Sequence, residues 1–179
     1  MRYVLLLRGI NVGGRNKVVM ADLRKQVQAL GFTRVATYIN SGNLFFDSLK
    51  SVEDISAMFQ AFFEQTYPFV TAFSLFNHED YQADYLSLPA WWQGELARKD
   101  VLFYTEQVDR QLVKDRVAAL PMGDELVHFG RLGVYWGKRE EKNYLQTAYH
   151  KFLLKEPFYK QVTIRNGKTL EKIGEFLSR

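Results

Sequence analysis

The residues best suited to chemistry lie in one run near the start, Arg8-Gly9-Ile10-Asn11-Val12-Gly13-Gly14-Arg15-Asn16-Lys17. Gly9-x4-Gly14-Arg15-Asn16 differs at two positions from the phosphate-binding loop G-x4-G-K-[ST]. Arg15 replaces the lysine, and Asn16 replaces the hydroxyl that holds Mg²⁺. Hydrolysis of a nucleotide by that route needs both groups, so it is not expected. Simple anion binding remains open to the loop. A strand, a Gly-rich loop and a helix N-terminus present backbone N–H groups and the positive end of a dipole. Arg8, Arg15 and Lys17 add charge, and no acid precedes Asp22.

A second polar run, Asn40-Ser41-Gly42-Asn43, reads as a tight turn. Two readings of the asparagines stand side by side. Asn11, Asn40 and Asn43 are residues that turns select for backbone reasons, and they are also donors that could line an anion site with Arg8, Arg15, Asn16, Lys17 and Ser41. Further on, Arg165-Asn166 precedes a helical pattern. Asn166 reads as its N-cap and Arg165 as a strand-end cation, with a share in the same site as the alternative.

Other chemistries find little support. The chain has no Cys, which excludes disulfides, thiolate metal sites and thiol nucleophiles. His78, His128 and His150 show no metal spacing, and no metal or cofactor is expected. Acid pairs such as Glu79-Asp80, Asp124-Glu125 and Glu140-Glu141 read as surface charges.

These residues need elements to position them. Tyr3 to Leu7 reads as a strand, and Met20, Leu23, Val27 and Leu30 follow at helical spacing before Gly31. Arg34 to Ile39 and Asn43 to Asp47 read as a hairpin. Ser51 opens a helix striped by Val52, Ile55, Phe59 and Phe62, and Phe69 to Phe76 is a further strand. The order is β-α-β-β-α-β. The second half reads the same way: Asp100 to Thr105; a helix marked by Val108, Leu112, Val113 and Val117; strands Leu126 to Phe129 and Leu132 to Trp136; a helix marked by Leu145, Ala148, Tyr149 and Phe152; and Gln161 to Arg165. A terminal helix, Thr169 to Leu177, is added.

The expected fold class is therefore α+β, with two tandem ferredoxin-like units packed together. The expected pieces are 1–76, a partly helical connection 77–98, and 99–179. In such a unit the first and second strands run parallel. The Gly-rich loop and the Asn-Ser-Gly-Asn turn then open at the same end. Tyr3 to Leu7 and Val101 to Tyr104 are apolar on both faces. The helix-free face of each sheet should therefore be covered, by the rest of the chain or by a second copy. The first strand also lacks the aromatic platforms that RNA-binding sheets use.

Composition agrees. Hydrophobic residues are 47% and charged residues 25%, a globular mix, and 14 Phe, 10 Tyr and 3 Trp suit a sheet-rich core. The net charge of +4 falls short of a dedicated nucleic-acid tail. The apolar start is too short for a signal peptide, and no run spans a bilayer, so a cytosolic protein without membrane partners is expected.

The motifs from Leu7 to Gly14 with Lys17, Met20 and Leu23, from Tyr38 to Asn43, and from Thr163 to Asn166 with Thr169 resemble an uncharacterised bacterial family, domain of unknown function 1697. The resemblance runs over nearly the whole chain and implies paired ferredoxin-like subdomains, with no established activity, substrate or cofactor. Val19 stands where the family pattern has Pro, and Gly167-Lys168 where it has Trp-Asn. The functional expectation is a cytosolic binding protein for an anionic or phosphate-bearing ligand, a nucleotide or RNA, acting as a monomer or homodimer. The rivals are a small-molecule enzyme using the same rim and a homo-oligomeric assembly protein.

Overall fold

A computed structural model describes residues 1–179. It is an α+β protein with two four-stranded antiparallel sheets and seven α-helices. The first sheet comprises β1 (Arg2–Leu7), β2 (Thr33–Tyr38), β3 (Asn43–Asp47) and β4 (Phe73–Asn77), in the order β2-β3-β1-β4. Helices α1 (Met20–Ala29) and α2 (Val52–Thr66) connect them. The second sheet comprises β5 (Arg98–Tyr104), β6 (Glu125–Phe129), β7 (Gly133–Lys138) and β8 (Val162–Asn166), in the order β6-β7-β5-β8. Its helices are α5 (Arg110–Ala118) and α6 (Ala148–Phe152). Between the sheets in sequence lie α3 (His78–Leu86) and α4 (Ala90–Gln93), and α7 (Gly167–Leu177) ends the chain.

Alternation along the strands sorts side chains into three cores. Tyr3, Leu5 and Leu7 of β1 face α1 and α2 together with Leu23, Phe46 and Phe59. Leu102 and Tyr104 of β5 face α5 and α6 with Val113, Trp136 and Phe158. The opposite faces meet in the third core. Val4, Leu6 and Phe45 of the first sheet join Val101, Phe103 and Tyr135 of the second, with Tyr81, Trp92, Leu170 and Ile173 from the helices. The covered face is therefore internal to one chain. Phe45 stacks on Phe176, centroids 4.6 Å apart, and Trp92 meets Tyr135 edge-on at 5.2 Å. Where β4 and β8 approach, Ser74 Oγ donates to Thr163 Oγ1 at 3.0 Å.

Two elements depart from expectation. The strand expected from Phe69 begins at Phe73, because β1 ends at Leu7 and Leu7 pairs with Phe73, which leaves residues 69–72 no ladder partner. The helix expected across Leu145 to Phe152 is broken into a 3₁₀ turn (Tyr144–Gln146), the five-residue α6 and two more 3₁₀ turns. Asn143 is left-handed at φ +58°, and Glu156, held extended before Pro157, separates the last two 3₁₀ turns. The first half instead carries one unbroken 15-residue helix, capped by Ser51 Oγ accepting from Asp54 N–H at 3.1 Å.

Candidate functional site

The Gly-rich loop is built by left-handed residues. Gly9, Asn11, Gly13, Gly14 and Asn16 all have φ between +52° and +75°. That conformation is open to Gly and tolerated by Asn, which explains the composition. The loop closes on itself: Asn11 N–H donates to Asn16 O at 3.0 Å, and Asn16 Nδ2 to Gly9 O at 2.9 Å. The loop and the β2–β3 turn do open at one end of the sheet. Asn11 joins them, its Nδ2 donating to Asn40 O at 2.9 Å and to Val18 O at 3.0 Å. Its Oδ1 accepts from Val18 N–H at 2.9 Å. Ile39, in the same turn, sits at φ +49°, a strained position for a β-branched residue. Gly42 is needed there, since an added Cβ would lie 2.6 Å from Leu7 Cβ.

Arg165 is the centre of a second network. It is buried, on the face of β8 turned towards the first sheet. Its Nε donates to Asn43 Oδ1 at 2.6 Å, and its Nη2 to Leu7 O and Ser41 O, both at 2.8 Å. Asn43, itself buried, donates to Tyr38 O at 2.9 Å and to Ser41 Oγ at 3.2 Å. No carboxylate faces this guanidinium. Burial pulls its pKa down to about 10, and carbonyl dipoles alone offset its charge. Arg165 thus fastens the last strand to the turn of the first half.

Arg8 also turns to the second half. Its Nη1 donates to Val162 O at 2.5 Å, and its guanidinium lies 4.7 Å from the Tyr159 ring centroid. Asn166 caps α7, its Oδ1 accepting from Thr169 N–H at 2.9 Å. Of the predicted site residues, Asn11, Asn40, Ser41, Asn43 and Arg165 therefore converge in one structural lattice, and Asn166 stands apart from it. Arg15 and Lys17 are exposed and make no side-chain hydrogen bond or ion pair. With Asn11, Gly14, Val19 and Asn40 they line a shallow depression of about 350 Å³. The N-terminus of α1 opens onto it, and Val19 at the N-cap supplies no side-chain acceptor. Helices α2, α3, α5 and α7 are all capped, by Ser51, Asn77, Asp109 and Asn166.

A family model described as a protein of unknown function, DUF1697, matches residues 1–135. The chain belongs to the DUF1697 family. The matched span carries the Gly-rich loop and the Asn-Ser-Gly-Asn turn, while Arg165 lies beyond it. A solved structure, that of the conserved bacterial protein SP0830 from Streptococcus pneumoniae, is 53% identical, with 98% of each chain covered and a TM-score of 0.96. No curated protein matches the chain. The two departures expected from the resemblance fall at Val19 and at Gly167-Lys168. Val19 has φ −81°, near the value proline would impose. Gly167 is buried against Lys99, where an added Cβ would sit 2.9 Å from Lys99 Cβ.

Two carboxylates that matter were not singled out by sequence. Asp84 of α3 accepts from Arg131 N–H at 2.6 Å, Leu132 N–H at 3.0 Å and Tyr135 Oη–H at 2.7 Å, pinning the β6–β7 turn. Asp100 of β5 has no such partners. Its one sequence signal is a charge in register with the inward-facing Leu102 and Tyr104.

Proposed function

We propose that this DUF1697 protein binds a small phosphate-bearing ligand of nucleotide type at the Gly-rich loop of its first half. The observation that carries the reading is the meeting, in one depression, of the uncapped α1 N-terminus with two cations that have no partner in the protein. Free N–H groups at a helix start attract an anion, and Arg15 and Lys17 add charge that no neighbouring acid takes up. The strain at Ile39 supports it, since such backbone strain gathers at sites that need a fixed shape. A ligand read through the helix-free sheet faces, as RNA often is, is disfavoured because both faces lie in the inter-sheet core.

The same reading takes each half as a ferredoxin-like unit, 1–76 and 99–179, bridged by 77–98. The strand orders β2-β3-β1-β4 and β6-β7-β5-β8 support it. No helix is long and apolar enough to cross a membrane, which suits action in the cytosol on a diffusible ligand.

Calorimetric titration with pyrophosphate, ATP and a short single-stranded RNA tests the proposal. Saturable binding of a phosphate compound is expected, weakened at least tenfold in the R15A/K17A double variant. Arg8 is a poor probe, because its removal also loosens the bond to Val162. No saturable binding, or an affinity untouched by R15A/K17A, would refute the site.

A further inference from the structure

A separate feature lies in the second half. Asp47, Asp80, Asp84, Glu125 and Glu156 are all withdrawn from solvent, and each holds donors. Asp47 has Arg2 and Arg34, Asp80 has Arg131, and Glu156 has Arg116. Asp84 has the three donors given above. Glu125 accepts from Trp136 Nε1–H, Ala148 N–H and Tyr149 N–H at 2.7–3.0 Å. Asp100 is part-buried and is the exception, with neither a hydrogen bond nor an ion pair. A part-buried carboxylate with no donor in the chain has lost some of its hydration, so a donor from outside the chain is favoured there.

Its surroundings say what kind of donor. Asp100 borders a recess of about 10 Å³ walled by Trp136, Tyr144, Tyr149, Arg98 and Glu125. That is about the room one water-sized group needs. The recess adjoins a cleft of about 780 Å³, which Asp100 also lines, with Lys99, Asn166, Lys168, Glu95 and Glu171. The two cations that line the recess are matched elsewhere, while Lys99 and Lys168 in the cleft form no ion pair. Arg98 is held by Glu141 at 2.6 Å and lies 3.7 Å from the Tyr144 ring centroid, and Lys138 is held by Asp124 at 2.6 Å. The negative charges of Asp100 and Glu125 remain among aromatic walls, and of the two only Asp100 lacks a donor. Such a setting attracts a compact cation through both the carboxylate and the rings.

We propose that the Asp100 recess binds the protonated amino group of a small molecule whose remainder lies in the adjoining cleft. The ammonium donates to the Asp100 carboxylate and sits against the walls formed by Trp136, Tyr144 and Tyr149. This site is independent of the anion site at Arg15 and Lys17. Burial pushes the Asp100 carboxyl up to about 6, with Arg98 opposing the rise. The carboxylate form that an ammonium needs therefore dominates above pH 6 and fades below it.

Ethylammonium chloride is the probe, with sodium chloride at matched ionic strength and ethanol as controls. The readout is the indole N–H resonance of Trp136. A saturable shift is expected with ethylammonium at pH 7.5 and with neither control. The affinity should fall about tenfold at pH 5, following the ionised fraction of a carboxyl with a pKa near 6. D100N should abolish the shift, and R15A/K17A should leave it intact. A linear, unsaturated response, or a D100N protein that binds equally well, would overturn the proposal. If D100N does not fold, a wild-type affinity unchanged between pH 5 and 7.5 would overturn it.

Discussion

The two halves share a strand order but finish their helical faces differently. In the first, α2 runs unbroken for 15 residues across the sheet. In the second, the corresponding stretch is five residues of helix among 3₁₀ turns. The registers make the contrast sharper. Tyr3 pairs with Phe46 and Asn77, and Asp100 pairs with Trp136 and Asn166. Tyr3 and Asp100 thus occupy corresponding places. Tyr3 is buried, stacks on Phe46 with centroids 5.8 Å apart, and donates its hydroxyl to Lys50 O at 3.1 Å. Asp100 has no donor. A closed helical layer permits a filled core, and an interrupted one leaves a recess in which a carboxylate can remain unpaired. The loops after the first strands differ in the opposite sense. The short segment after β5 leads to a helix capped by Asp109, whereas the long Gly-rich loop after β1 leads to one with no cap.

Exchanging the chemistry of the two halves should break this contrast. The largest effect is expected from Tyr3→Asp, which places an unpaired carboxylate in a packed core. It should cost about 4 kcal/mol or more in urea unfolding. Next comes Arg165→Ala, which strips the donor from Asn43, Leu7 and Ser41. A loss of about 3 kcal/mol is expected, together with faster hydrogen exchange in the β2–β3 turn.

Asp100→Asn should act the other way. The folded state holds the Asp100 proton up to about pH 6, above its ordinary value of 3.8. Between those values the folded state binds more protons than the unfolded one, so this group's contribution to stability falls as pH rises from 4 to 6. Chemical unfolding should therefore show D100N gaining on the wild type across that window, then holding a constant advantage. Equal stabilities at pH 4 and pH 7 would count against the unpaired carboxylate. The smallest effect is expected from Val19→Ser, which gives α1 the cap its counterparts have. A gain of about 0.5–1 kcal/mol in thermal unfolding should accompany weaker binding of phosphate compounds, because the cap occupies an N–H group the anion would use.

Much of this was legible in the residues. Apolar runs on both faces of the first strand of each half announced a covered sheet, and the inter-sheet core supplies the cover. Asn166 was readable as a cap because capping is local, needing only the residue and the turn after it. The roles of Arg165 and Arg8 were not readable. Each depends on how distant segments dock, and a lone Arg at a strand end looks the same whether it meets solvent or a carbonyl. The break near α6 was hidden because Leu145, Ala148, Tyr149 and Phe152 keep helical spacing through a segment that Asn143 and Pro157 cut short. Asp100 was overlooked for a related reason. A charge near a strand start reads as exposed until the register shows it facing inward.

Arg165 has a consequence for how the protein is made. Its guanidinium reaches an Asn side chain 122 positions earlier in the chain. A ribosome will have released the whole first half well before that partner exists. In the interval Asn43 lacks its donor, and the face carrying Val4, Leu6 and Phe45 has no cover from α7. The first half must wait, half-dressed, for the second. Contacts so distant in sequence slow folding, and an apolar face left uncovered in the meantime is prone to aggregate. The fastening between the halves is therefore also a timing constraint on biosynthesis, under which the amino-terminal half cannot be finished until β8 and α7 have been made.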